Sequence, residues 1–172
     1  EDDSYDYILN WLAHIIQSPG TKCDTALVLK AKKGAGKTTL VDIMKMILGG
    51  KLVAETKNPD TDIFGKHGRI HLDKLLVCVD NVQRIKCDNR MKVLITSNTC
   101  VYNPKWLNMV EVKNFSRFIF TTNGRVPIPV KDDDRRYCLI ESSDVLCNDT
   151  PFWDQFYEKL TRDGGGMLLA FY

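Results

Sequence analysis

Apolar residues at positions 7, 8, 11, 12, 15 and 16 recur at helical spacing, and Ser18-Pro19-Gly20 closes the segment, so the pattern predicts a lead helix. Ala26, Leu27, Val28 and Leu29 form a short unbroken apolar run ahead of a glycine-containing loop, which reads as a buried strand. Residues 38–48 carry Leu40, Val41, Met44, Ile47 and Leu48 as the stripe of a helix that Gly49 and Gly50 stop. Residues 51–70 are polar, with a turn at Asn58-Pro59-Asp60. Unbroken apolar runs return at 75–79, 118–121 and 137–140, each expected to be a buried strand. Shorter runs at 93–96, 100–102 and 110–112 are strand candidates around Asn103-Pro104. Thr150-Pro151 is expected to cap a helix running to about residue 160, with proline where its missing N–H does no harm. Unbroken strands mixed with helices predict an α/β fold whose sheet is covered on both faces. No repeat or low-complexity segment interrupts this order.

The 172 residues fit one domain at the usual size of about 100–200 residues. The organisation expected is a lead helix over 1–20, a core over 21–145 and a helical segment over 146–172. The chain starts at Glu1 rather than Met and stops in the apolar run 167–172, which reads as a helix cut short. A piece of a longer or processed protein is therefore expected. No apolar run approaches the roughly 18–20 residues that span a bilayer, and the acidic start lacks the basic region of a signal peptide. An intracellular protein without a membrane partner is the expectation. Cysteines at 23, 78, 87, 100, 138 and 147 contain no CxxC spacing, which leaves out zinc-ribbon and dithiol-redox frameworks. Cys78 and Cys138 lie in apolar runs and read as core thiols in a reducing compartment.

The net charge of +2 announces no nucleic-acid partner, but its distribution is uneven. Between 84 and 117 seven Lys/Arg face Asp88 and Glu111, while from 131 onward nine acids face five bases. A basic middle segment is either a footprint for phosphate backbones or an ordinary solvated face.

The densest chemistry is Ala31-Lys32-Lys33-Gly34-Ala35-Gly36-Lys37-Thr38-Thr39, which follows a predicted strand and opens a predicted helix. That is the context of a phosphate-binding loop. Glycines let backbone N–H groups turn towards phosphate oxygens, and the helix N-terminus favours an anion. Lys37 would neutralise the β- and γ-phosphates and the Thr38 hydroxyl would ligate Mg²⁺. The usual pattern has glycine where Ala31 stands, although a small residue suffices there. The bland alternative is a glycine-rich strand–helix turn.

The apolar run at 75–79 delivers Asp80, which would hold Mg²⁺ through water, since ligands of open α/β sheets sit at strand C-termini. Asn81 follows where a second acid would orient the attacking water; asparagine can hydrogen-bond water but cannot take its proton. The run at 118–121 leads to Asn123, placed either to touch the γ-phosphate or water, or simply to end a strand. Arg135 and Arg136 follow three aspartates. They form either a structural salt bridge or an arginine finger that reaches a neighbouring subunit's nucleotide.

This ordered set resembles the superfamily 3 helicases, most closely the primase–helicase family of phages and large DNA viruses. The resemblance is carried by the segments at 11–16, 34–39, 77–80, 91–96, 103–105, 118–123, 126–129 and 134–137. It implies an AAA+-like ATPase using ATP and Mg²⁺, assembled as a ring, usually a hexamer, moving on single-stranded DNA beside a primase or polymerase module. It further implies Asn123 as sensor and Arg136, in preference to Arg135, as finger. A hairpin before the sensor strand would project into the ring channel. The segment 100–112 fits it, with Lys105 to grip phosphate and Trp106 either to stack on a nucleotide or to pack the hairpin on the body. Two other functions remain open. One is a nucleotide-binding scaffold or loader with little hydrolysis, because of Asn81. The other is a P-loop small-molecule kinase, for which the segment 51–70 offers only Arg69 in place of an arginine-rich lid.

Overall fold

Three of the four strands that read as unbroken apolar runs form the interior of one parallel sheet; the fourth, at 137–141, expected to be buried, lies at the sheet's edge with Leu139 half-exposed. The computed structural model describes residues 3–81, 85–86, 88–124 and 134–162. Along the chain run α1 (Asp3–Gln17), β1 (Ala26–Lys30), α2 (Lys37–Leu48), β2 (Val53–Thr56), α3 (Pro59–Asp62) and β3 (Leu76–Asp80). They are followed by α4 (Asp88–Thr96), β4 (Thr99–Tyr102), β5 (Val110–Lys113), β6 (Arg117–Thr122), β7 (Tyr137–Glu141) and α5 (Thr150–Arg162).

Five strands pair in the order β2-β3-β6-β1-β7, all parallel, and β4 and β5 form a separate antiparallel hairpin. The two faces of the sheet carry two cores, because alternate residues of each strand point opposite ways. On one face Leu27, Leu29, Leu76, Cys78 and Ile119 meet Trp11, Leu12 and Ile15 of α1 and Val41 and Met44 of α2. The other face packs Val28, Val77, Val79, Phe118 and Phe120 against Ile63, Met91, Leu94 and Ile95. The α/β architecture covered on both faces is therefore the one the pattern predicts, and the lead helix shares the core rather than standing apart.

Three sequence readings are corrected. Residues 93–96, expected as a strand, are the last turn of α4. Met91, Leu94 and Ile95 are buried at helical spacing while Val93 is 60% exposed, an outward position that an interior strand would not leave. The polar stretch 51–70 hides an edge strand: Val53, Ala54 and Thr56 of β2 are buried, and β2 pairs only with β3. The cap of α5 is Asp149 rather than Thr150. Its carboxylate accepts the Phe152 N–H at 3.0 Å and its carbonyl accepts the Trp153 N–H at 3.0 Å. Cys78 is buried, and burial pushes its thiol up to about 12, whereas Cys138 on edge strand β7 is only half-buried.

Arg117, 1% exposed at the start of β6, donates to the carbonyls of Ser18 at 2.8 Å, Phe115 at 3.2 Å and Thr21. It ties the loop after α1 to the sheet. Among the described residues no helix is long and apolar enough to cross a membrane. Cys87, Arg84, the 126–129 motif and the apolar tail lie outside the described residues.

Candidate nucleotide site

The C-terminal ends of β1, β3 and β6 lie side by side. Lys30 is in register with Thr122, and Asp80 with Thr121. The loop leaving β1 therefore opens beside the residues that end the other two strands, where parallel sheets bind ligands. β6 separates the loop strand from the Asp80 strand, so Asn123 arises between them.

The loop from 31 to 37 depends on two left-handed residues, Gly34 at φ 85° and Gly36 at φ 84°. Ala31, where the pattern has glycine, is 5% exposed and donates its N–H to the Thr122 carbonyl at 3.1 Å, so a small apolar residue fits there. The Lys37 ammonium donates to the carbonyls of Ala31 and Lys32, at 2.7 Å each. Burial holds its pKa below the ordinary lysine range, with Asp80 among the groups pulling the other way. The lysine thus folds back onto its own loop, held by two neutral acceptors that an anion would outcompete.

Asp80 accepts the Thr121 hydroxyl at 2.6 Å, and Lys57 stands 3.7 Å from its second oxygen. Asn81 takes the left-handed conformation at φ 48°, and its N–H donates to the Thr121 carbonyl at 2.9 Å. This strained backbone turns the residue out of the strand direction at the site.

One cavity of about 330 Å³ joins these pieces. It is lined by Lys33, Gly34, Gly36, Lys37, Thr38, Thr39, Asp80, Asn81 and Asn123, together with Trp153 and Tyr157. The residues present fit a magnesium nucleotide: left-handed glycines, a lysine on replaceable acceptors, and a hydroxyl and a carboxylate lining the same cavity. Ala31, Lys32 and Ala35 support the loop without lining the cavity, and Lys32 pairs with Asp144.

The remaining candidates lie elsewhere. Neither Arg135 nor Arg136 lines the cavity. Arg136 pairs with Asp134 at 3.1 Å, and Asp134 pairs with Lys92 at 3.1 Å, which joins β7 to α4. Arg135 is exposed. Lys105 and Trp106 sit between the hairpin strands, and Trp106 is 98% exposed, so it does not pack on the body. The hairpin's base is fixed: Asn114 donates to the carbonyls of Leu94 and Ser97, at 2.8 Å each, and Lys22 donates to the same two.

Sequence reasoning missed the contribution of α5. Tyr157 shares a 2.6 Å hydrogen bond with Thr39, and the Trp153 ring lies against Gly36. Asn148 packs on Gly34 so closely that a Cβ there would stand 2.7 Å from its side-chain oxygen. The available signal was the spacing of Trp153 and Tyr157, four apart and so on one helix face.

Residues 29–136 match a family described as one of unknown function, DUF5906. The chain is 30% identical over 164 residues to the DNA primase-polymerase of Nitratiruptor phage NrS-1, covering 92% of this chain and 22% of that protein. The chain thus spans about a fifth of that relative's length. The apo structure of the NrS-1 C-terminal region superposes with a TM-score of 0.78 at 28% identity, over 97% of this chain and 41% of the other. JCV helicase, at 14% identity and a TM-score of 0.54 over 90% of this chain, shares the fold. These likenesses bear out the resemblance to a phage replication protein of the primase type, and the likeness to the helicase is one of fold.

Proposed function

The chain belongs to the DUF5906 family, and from that premise we propose that it is the ATP-hydrolysing motor of a phage-type DNA replication protein. One observation carries the reading: the loop, Asp80, Asn81 and Asn123, scattered over ninety residues, line a single cavity at the strand ends. That is the constellation phosphoryl chemistry needs, because such catalysis is mostly positioning and charge stabilisation.

In this reading Lys37 leaves the Ala31 and Lys32 carbonyls and grips the β- and γ-phosphates. The N–H groups of the loop up to Thr39 hold the remaining oxygens. Thr38 and Asp80 hold Mg²⁺, Asp80 kept in place by the Thr121 hydroxyl. When bound, the cation supplies charge neutralisation to the phosphate oxygens. Asn81 and Asn123 orient water near the γ-phosphate.

The arginines act on a neighbour's site in a ring, a hexamer by the resemblance. Arg136 is committed to Asp134, so the exposed Arg135 is the better finger. The hairpin presents Lys105 and Trp106 to single-stranded DNA, lysine for phosphate and indole for a base. The primase-polymerase relative supports a primase or polymerase module in the same longer chain and an intracellular setting. Asn81 also favours a second reading, a nucleotide-gated scaffold with slow turnover.

The test is MgATP binding and ATPase with and without single-stranded DNA, in the chain and in Lys37→Ala. The expected result is tight binding, DNA-stimulated turnover and loss of both in the variant, because stranding a buried charge costs about 2–5 kcal/mol. A Lys37→Ala chain that binds ATP like the parent refutes the site, and binding without turnover favours the scaffold.

A further inference from the structure

The cavity takes part of its lining from the loop and the strand ends and one wall from α5, which packs on the loop at Gly36 and Thr39 and which no step above uses. Trp153 and Tyr157 line that wall. We propose that Trp153, with Tyr157 beside it, is the platform on which the nucleotide's base stacks, and that this wall selects purine over pyrimidine without distinguishing adenine from guanine. This rests on the cavity being a nucleotide site.

Both polar atoms of the pair are already engaged. Trp153 Nε1 donates to the Leu146 carbonyl at 2.9 Å, and the Tyr157 hydroxyl is bonded to Thr39. What they offer the cavity is aromatic carbon, so they read no hydrogen-bonding edge of a base. Stacking tolerates any base because every base has a π-face, and it gains with ring area. The rings are also held in advance. Phe152 meets Trp153 edge-on at 5.1 Å, and Phe156 meets Trp153 and Tyr157 edge-on at 5.9 Å each. A wall fixed by hydrogen bonds and edge-on rings loses little freedom when a ligand arrives. Thr39 sits in the first turn of α2, so the Tyr157 bond and the packing of Trp153 on Gly36 hold the aromatic pair beside the loop.

The alternative is that Trp153 merely packs α5 onto the loop. Calorimetric titration of the chain with the magnesium forms of ATP, GTP, CTP and inorganic tripolyphosphate separates the two. Tripolyphosphate carries the phosphates but no base. The proposal expects ATP and GTP to bind within a few-fold of each other, and CTP and tripolyphosphate more weakly. Trp153→Ala should weaken ATP and GTP about tenfold, the order of one base-on-aromatic stack, and leave tripolyphosphate unchanged. Trp153→Phe should retain most of the affinity. Equal loss for ATP and tripolyphosphate in Trp153→Ala would make the residue structural and overturn the proposal. Should that variant not fold, the parent decides alone: ATP binding no tighter than tripolyphosphate overturns it. A parent chain that binds neither ligand removes the nucleotide site itself, a result distinct from losing only the base preference.

Discussion

Gly36 is the position where the loop's geometry and the packing of α5 meet, and substituting alanine there strains both. Its φ of 84° lies in the left-handed region, which costs a residue with a Cβ about 1–2 kcal/mol. A Cβ would also overlap Cη2 of Trp153 and come within 3.0 Å of Cζ2. The indole cannot swing away freely, because Leu146 holds its N–H and Phe152 and Phe156 flank it. Forcing an extra methyl into such a contact costs about 1–3 kcal/mol. Gly36→Ala should therefore destabilise the chain by about 2–5 kcal/mol in all. Only the second part depends on the indole. In a Trp153→Ala background the same change should cost just the backbone strain, giving a coupling of about 1–3 kcal/mol between the two sites. Urea unfolding of the parent, the two single variants and the double variant, followed by far-ultraviolet circular dichroism, measures this coupling. Additivity within about 0.5 kcal/mol, the scatter of independent sites, would refute the close packing of Trp153 on Gly36.

Asn81→Asp should raise the ATPase rate without tightening ATP binding, since general-base help is worth about 10²–10⁴ in rate; no gain would mean that asparagine already suffices. Arg135→Ala should leave the melting temperature unchanged and lower turnover about 10³-fold or more, whereas Arg136→Ala should lower the melting temperature by leaving Asp134 with Lys92 as its one remaining ion-pair partner among the described residues. Mixing Arg135→Ala with Lys37→Ala subunits should restore some activity, and mixtures that stay inactive while assembling would count against a finger acting in trans. His71 is held near pKa 4 chiefly by burial, with the Lys22 charge adding to the effect. The unfolded chain therefore takes up that proton first, and stability is lost as pH falls from about 6.5, the ordinary histidine value, towards 4. Urea midpoints at pH 7 and pH 5 should differ in the parent and differ less in His71→Gln.

The strands at 26–30, 76–80 and 117–122 were legible because burial on both faces leaves an uninterrupted apolar run, a signal that needs no knowledge of partners, and 137–141 was legible from the same kind of run although it lies at the edge. The same logic failed at 93–96, where four apolar residues suit a strand or a helix turn equally and only the burial of Met91 with Leu94 and Ile95 decides. It failed again at Val53, since an edge strand needs few apolar residues. Within the site, Lys37, Thr38 and Asp80 were readable from local spacing, since each belongs to a short motif with its own mechanism. Trp153 and Tyr157 were not, because their link to Gly36 and Thr39 crosses more than a hundred residues and no local pattern encodes it. The hairpin's outline was visible. The exposure of Trp106 was not, because only the fold shows that the body lies away from it.

The position of β6 has a consequence for how the chain is made. β1 pairs with β6 and β7 alone, both of which come later in the sequence: Leu27 waits for Ile119 and Cys138. β2 and β3 can pair with each other as soon as both exist. Until residue 117 has emerged from the ribosome, the main sheet therefore consists of the β2–β3 pair and a lone β1 with nothing between them. Ala26 to Leu29, apolar at every position, then stands with both edges open. Such edges invite pairing with a second chain, and non-local parallel pairing is slow to form. Entry of β6 closes one edge of β1 and one of β3 together and adds Ile119 to one core and Phe118 and Phe120 to the other in one step. The strand that places Asn123 between loop and acid is thus also the one whose arrival joins a lone strand to a strand pair, so its six buried residues answer to assembly as well as to chemistry.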